Sequence, residues 1–85
     1  MAPVQHSVTL SWQASSSMIA GYNVYRGTNS GGPYSILNTA LIQPTDYTDD
    51  AVAAGQTYYY VVTAVDTQDL ESVHSNQATA VVPTP

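Results

Sequence analysis

The 85-residue chain has no cysteine and no lysine, and its single cation is Arg26. Without cysteine there is no disulfide framework, no thiolate metal site and no cysteine nucleophile. Six carboxylates against one arginine give a formal net charge of −5. The clustered Lys and Arg that release counterions from a nucleic-acid backbone are therefore missing, and an anionic membrane surface is disfavoured for the same reason. Charged residues make up 8% of the chain where ~25% is usual, so Ser, Thr, Asn and Gln must form much of the surface. No apolar run approaches the ~18 to 20 residues of a membrane span, which argues against membrane insertion. Internal repeats, heptads and helical periodicity are also missing, which sets aside solenoids and coiled coils.

What remains is strand patterning. Eighty-five residues suit one domain near the lower size limit, where folding buries roughly 60% of the unfolded chain's surface. In Ala54-Gly55-Gln56-Thr57-Tyr58-Tyr59-Tyr60-Val61-Val62-Thr63-Ala64-Val65-Asp66 a glycine able to take φ > 0 precedes ten residues that are almost all β-branched or aromatic, a composition suited to a pleated, half-buried surface. Period two puts Tyr58, Tyr60, Val62 and Ala64 on one face and Tyr59, Val61, Thr63 and Val65 on the other. Upstream, Val8-Thr9-Leu10-Ser11-Trp12 alternates with Val8, Leu10 and Trp12 inward, and Gly21-Tyr22-Asn23-Val24-Tyr25-Arg26 repeats the period with Tyr22 and Val24 inward. The expected core is therefore Val8, Leu10, Trp12, Tyr22, Val24, Tyr58, Tyr60, Val62 and Ala64. Strands are expected at 6–12, 22–28, 34–38, 45–49 and 57–66, with a last strand opening near Ser72. Asn29-Ser30-Gly31-Gly32-Pro33 marks a turn.

These runs and their spacing resemble a fibronectin type III domain of the kind found in bacterial secreted and surface proteins. Val8 to Trp12 fits the family's strand B, Gly21 to Arg26 its strand C, and Gly55 to Ala64 its E–F turn and strand F; Ser72 to Asn76 resembles its path into strand G. Tyr58 falls where the family carries a tyrosine corner, a ring under the turn with its hydroxyl bonded to nearby backbone. The resemblance implies an all-β, seven-stranded immunoglobulin-like sandwich over residues 1–82, with 83–85 as a linker stub. Two departures stand out. Only Met1 to Gln5 precede the first strand, so strand A is short or absent, which would leave an unprotected sheet edge. Ala54 replaces the proline usual before the turn glycine.

No site chemistry emerges from the residues. His6 and His74 have no metal-ligand spacing. Asp46, Asp49 and Asp50, and separately Asp66, Asp69 and Glu71, lack the pattern of a calcium loop and are expected at opposite poles; Asp49 can bond its own backbone two residues on and start the turn. No serine sits in a G-x-S-x-G elbow. The chain is read as non-catalytic, without cofactor or metal. The candidate interaction face is the outward parity Tyr25, Tyr59, Val61 and Val65, against the simpler reading of Tyr25 and Tyr59 as a stabilising cross-strand pair. The expected role, implied by the resemblance, is a spacer or protein-interaction module with well-separated termini, in a larger extracellular or cell-surface bacterial protein. Met1-Ala2-Pro3 lacks the regions of a signal peptide, so an export signal is expected from that larger parent. Expected partners are neighbouring domains of the same polypeptide and a protein or glycan ligand, with the chain monomeric. The alternatives are a carbohydrate-binding accessory domain of a polysaccharide-active enzyme, or an adhesion module that self-associates through its free edge.

Overall fold

The computed structural model describes residues 6–14, 19–75 and 77–84, and among them there are strands and turns but no helix. Six strands form: β1 (Val8–Ser11), β2 (Ile19–Gly27), β3 (Ser35–Ile36), β4 (Asp46–Asp49), β5 (Thr57–Asp66) and β6 (Ala78–Val81). They make a two-stranded sheet, β1-β4, facing a four-stranded sheet, β3-β2-β5-β6, with every pair antiparallel. This is the two-layer all-β sandwich expected. The strand A region lies at residues 1–5, outside the described residues.

The long pairing of β2 with β5, from Ile19↔Asp66 to Gly27↔Tyr59, is the spine. Its inward parity brings Val24, Tyr58 and Tyr60 together with Val82, all buried. Burying a valine side chain contributes on the order of 1.5 to 3 kcal/mol. Val8, Leu10, Trp12 and Val62 are only partly buried and pack against this centre, as do Leu37, Ile42, Tyr47 and Val52. Tyr22 is buried under the edge of the Trp12 indole, with ring centroids 5.4 Å apart. Ala64 is half-buried.

Arg26 shares the inward parity of Tyr22 and Val24. Its Nη1 lies 2.8 Å from Asp49 Oδ2, joining β2 to β4 across the sandwich, and its guanidinium sits 5.1 Å from the Tyr58 ring centroid. Asp49 also accepts the Tyr60 hydroxyl at 2.7 Å and the Ala51 N–H at 3.1 Å, so its expected local turn bond is one of three kinds of contact. The turn over 50–56 is further held by Arg26 Nη1 donating to the Ala51 carbonyl and by the Ala53 N–H donating to the Tyr58 hydroxyl at 2.9 Å, which is the tyrosine-corner bond.

Where strands lapse, side-chain oxygens take over the ladder. Between β3 and Ile42, Asn38 Oδ1 accepts the Val24 N–H. Beside the upper half of β5, Ser72 Oγ and Ser75 Oγ accept the N–H groups of Ala64 and Val62, while their own N–H groups donate to the carbonyls of the same two residues. The last strand therefore opens at Ala78 rather than near Ser72, and residues 70–75 form an irregular strap.

The expectation of well-separated termini falls on residues 1–5 and 85, which lie outside the described residues. Val8 pairs with Asp49 beside the 50–56 turn, and Val82 bonds Gln56 and Gly55 of that same turn. Within the described residues β1 therefore begins, and β6 ends, at the same pole.

Two substitutions test this frame. Tyr58→Phe leaves the Ala53 N–H without its acceptor, and denaturant unfolding should show a loss of about 1 to 2 kcal/mol. Asp49→Asn leaves Arg26 without its counter-charge; because Arg26 keeps some access to water, the loss should be about 2 to 4 kcal/mol, below or within the range for a broken buried pair.

Candidate functional site

The outward parity of β2 and β5 is the candidate interaction face, and the structure corrects half of it. Val61 and Val65 are only 2% and 6% exposed, and Thr63 between them is 2% exposed. They are a floor, not a surface. The cover comes from the strap, which lies beyond β5 from β2, so any contact between strap and β2 side chains must pass over β5.

Glu71 makes that crossing. Its Oε2 accepts the hydroxyl of Thr63 on β5 at 2.5 Å, then the hydroxyl of Tyr25 and the side-chain N–H of Asn23 at 3.3 Å, both on β2. His74 crosses as well, its ring lying 5.2 Å from that of Tyr25 and 5.6 Å, edge-on, from that of Tyr34. Lower down, Gln77 Oε1 accepts the Tyr34 hydroxyl at 2.5 Å and the Gly31 N–H at 2.7 Å, and its Nε2 donates to Ser30 Oγ. The result is a set of side-chain contacts across the outward side of β2 and β5, with Glu71 and His74 themselves exposed. Tyr25 and Tyr59 are both half-buried, Tyr25 with its hydroxyl and ring already engaged.

The charges follow this geometry. Hydrogen bonds from Thr63 and then Tyr25 hold the Glu71 carboxyl below its ordinary pKa. The bond to Glu71 in turn, with burial second, raises that of Tyr25. In the inner network burial opposes ionisation of Asp49, but the bonds from Tyr60, Arg26 and the Ala51 N–H outweigh it and keep the carboxyl low. Burial first, and donation to Asp49 second, push the Tyr60 phenol up.

A second feature opens at the side of the sandwich between Trp12 and the strap. This groove of about 410 Å³ is floored by Trp12, Tyr22, Val62 and Ala64 and rimmed by Ser72 to Ser75. Val73 on its rim is 88% exposed, and Leu70 nearby is 64% exposed. At the pole beyond, Asp66 Oδ1 accepts the N–H groups of Gln68 and Leu70 and closes the 66–70 turn, with Asp69 at φ +65°. On the groove rim the hydroxyls of Ser72 and Ser75 accept the Ala64 and Val62 N–H groups. Sequence reading does not find the Glu71 and Gln77 contacts, because the bonds to Tyr25, Asn23 and Tyr34 span 46, 48 and 43 residues of chain and leave no local pattern.

These elements define a two-sheet antiparallel module whose polar side chains bond back onto its own backbone and onto one another. Known proteins place it further. No family model matches the sequence. Over 73 residues, 86% of the chain, it is 42% identical to an amylopullulanase of Thermoanaerobacter thermohydrosulfuricus, of which it spans only 5%. Among solved structures, an Fn3-like protein from Clostridium thermocellum superposes with a TM-score of 0.81 at 42% identity, over 93% of this chain and 79% of that one. A β-1,2-glucanase from Parabacteroides distasonis superposes at 0.79 with 28% identity, over 95% of this chain and 11% of that one. The chain belongs to the fibronectin type III-like family.

Two measurements test the site. Glu71→Ala should speed hydrogen exchange at the Ser72 and Ser75 amides while those of Val24 and Tyr60 stay protected. Stability should also fall at both ends of the pH scale. Asp49 and Glu71 have lowered pKa values, so their contribution is present above the unfolded carboxylate range of about 4 and is lost as pH falls through the folded values. Tyr25 and Tyr60 have raised values, so theirs is present below the phenol value of about 10 and is lost as pH rises through the folded ones. Urea midpoints should be level between about pH 5 and 9.

Proposed function

We propose that this chain is a non-catalytic Fn3-like module of a larger extracytoplasmic bacterial protein, where it serves as a spacer or protein-interaction domain that positions its neighbours. The observation that carries the reading is one of proportion: nearly the whole of this fold corresponds to 5% of an amylopullulanase and 11% of a glucanase. A unit that small within proteins named for their catalysis fits an accessory part. Its own polar groups support this, since Glu71, Gln77, Asp49 and Asp66 all bond within the domain. The natural partners on this reading are neighbouring domains of the same polypeptide, with no role for nucleic acid or membrane insertion.

A second reading, a glycan-binding accessory domain, is favoured by the names of those two relatives and by the aromatic floor of the Trp12 groove. Titrating isotope-labelled protein with α- and β-glucan oligosaccharides separates the two. The positioning module gives no chemical-shift change at any aromatic residue. Saturable shifts at Trp12 and Tyr22, or at Tyr25 and Tyr59, would replace it with the glycan reading. Sedimentation should return a monomer at high concentration; concentration-dependent mass would instead favour pairing through the edge of β1.

A further inference from the structure

The chain does not leave the domain at the end of β6. Val82, one residue on, is 3% exposed and belongs to the central core cluster. Its N–H donates to the Gln56 carbonyl at 2.9 Å, and its carbonyl accepts the Gly55 N–H at 3.0 Å. That same Gly55 N–H is shared with the Pro83 carbonyl at 3.2 Å. Past Pro83, the methyl of Thr84 lies 3.2 Å from where a Cβ on residue 55 would stand. Pro83 fixes its own φ and has no N–H to offer another strand.

The turn that grips this exit is itself tied to the core. Asp49 holds the Ala51 N–H, Arg26 holds the Ala51 carbonyl, the Ala53 N–H is held by Tyr58, and the Gln56 N–H returns to the Ala53 carbonyl. Gly55 sits at φ +77° within this turn, a conformation that a side chain resists. Chain expected to be linker is therefore bonded, through one turn, to the Arg26–Asp49 ion pair.

We infer that the 50–56 turn is a seat for the departing chain, and that Gly55 fixes the direction in which a domain joined after residue 85 leaves the module. This rests on the positioning reading above and sharpens it: the module sets an angle as well as a distance. Glycine at 55 then serves two needs, the left-handed turn and the close approach of Thr84. Gly31 meets the first need alone, since it has φ +84° and no atom lies within 4 Å of where its Cβ would stand.

The chain contains no cysteine, so a single spin label can be placed at the exposed Thr28 by Thr28→Cys. A cysteine-free folded carrier bearing one label is joined directly after Pro85, and interspin distances are measured by pulsed electron resonance. The inference expects a narrow distance distribution, clearly narrower than when a Gly-Ser linker is inserted after Thr84. Gly55→Ala should widen it towards that control, and Gly31→Ala should not. Should Gly55→Ala fail to fold, Thr84→Gly keeps the turn intact and is expected to widen the distribution by a smaller amount. A native distribution as broad as the Gly-Ser control overturns the inference. So does equal broadening by Gly31→Ala, or no broadening from Gly55→Ala and Thr84→Gly. Glycan-induced shifts would sink the positioning role while leaving these distances unchanged, so the two failures are distinct.

Discussion

A lone cation placed inside a small sandwich constrains everything around it. Arg26 lies on the inward parity of β2, where water cannot fully satisfy a guanidinium, and Asp49 is the carboxylate that reaches it from the opposite sheet. Replacing such pairs with apolar residues is often neutral or better for stability, whereas removing one partner is costly. The contribution of the pair is therefore best sought in what it specifies. Asp49 ends β4, and its two oxygens bind β2 through Arg26, β5 through Tyr60 and the following turn through Ala51. A slip of β4 that put Thr48 in this place would turn the carboxylate to the other face of its strand and leave the arginine without it. The register of the two-stranded sheet against the four-stranded one is thus set by charge as well as by packing.

A related economy appears at the sheet edges. Proteins commonly blunt exposed strands with lysine, and this chain has none. Instead, Asn38 Oδ1 answers the Val24 N–H on one flank of the main sheet, and Ser72 and Ser75 hydroxyls answer Ala64 and Val62 on the other. Each side chain occupies a ladder position that a foreign strand would need. The low charge of the sequence and its supply of Ser and Asn fit this use, since neutral oxygens close an edge without the desolvation that a buried ammonium would suffer.

How much of this the sequence discloses depends on the range over which each cause acts. Gly55 and Tyr58 are legible because the turn, the strand and the corner bond to Ala53 all fall within five residues. Tyr22, Val24 and Tyr60 are legible because period two and one burial direction suffice to place them. The misreading of Val61 and Val65 as surface has a clear cause. Alternation says that two parities face opposite ways; it does not say that either is open. The cover depends on a strap that crosses β5 to reach Tyr25, and on Glu71 and His74, whose polar character reads locally as solvent-facing. Arg26 shares the inward parity of Tyr22 and Val24, but the carboxylate that makes an inward charge tenable lies 23 residues further along the chain, beyond any local pattern. Val82 reads locally as the last residue before a linker, and its place in the core follows only from the return of the chain to Gly55 and Gln56.

The charge distribution gives the pole at which the chain leaves β6 a further property. Of six carboxylates, Asp49 is neutralised by Arg26 beside the 50–56 turn, which leaves Asp50 as the uncompensated charge there. Asp46 lies towards the far end of β4, opposite Ser11, and Asp66, Asp69 and Glu71 gather around the distant 66–70 turn. Four of the five remaining negative charges are thus displaced from the place where the chain crosses the domain boundary. With a Debye length of about 8 Å at physiological ionic strength, charges at the distant pole are screened from anything seated by the 50–56 turn. A covalent neighbour can approach that pole closely even if it is itself acidic, while the other pole repels. The internal pairing of one arginine therefore shapes the fold, steadies the turn that holds the exit, and leaves the adjoining surface nearly free of net charge.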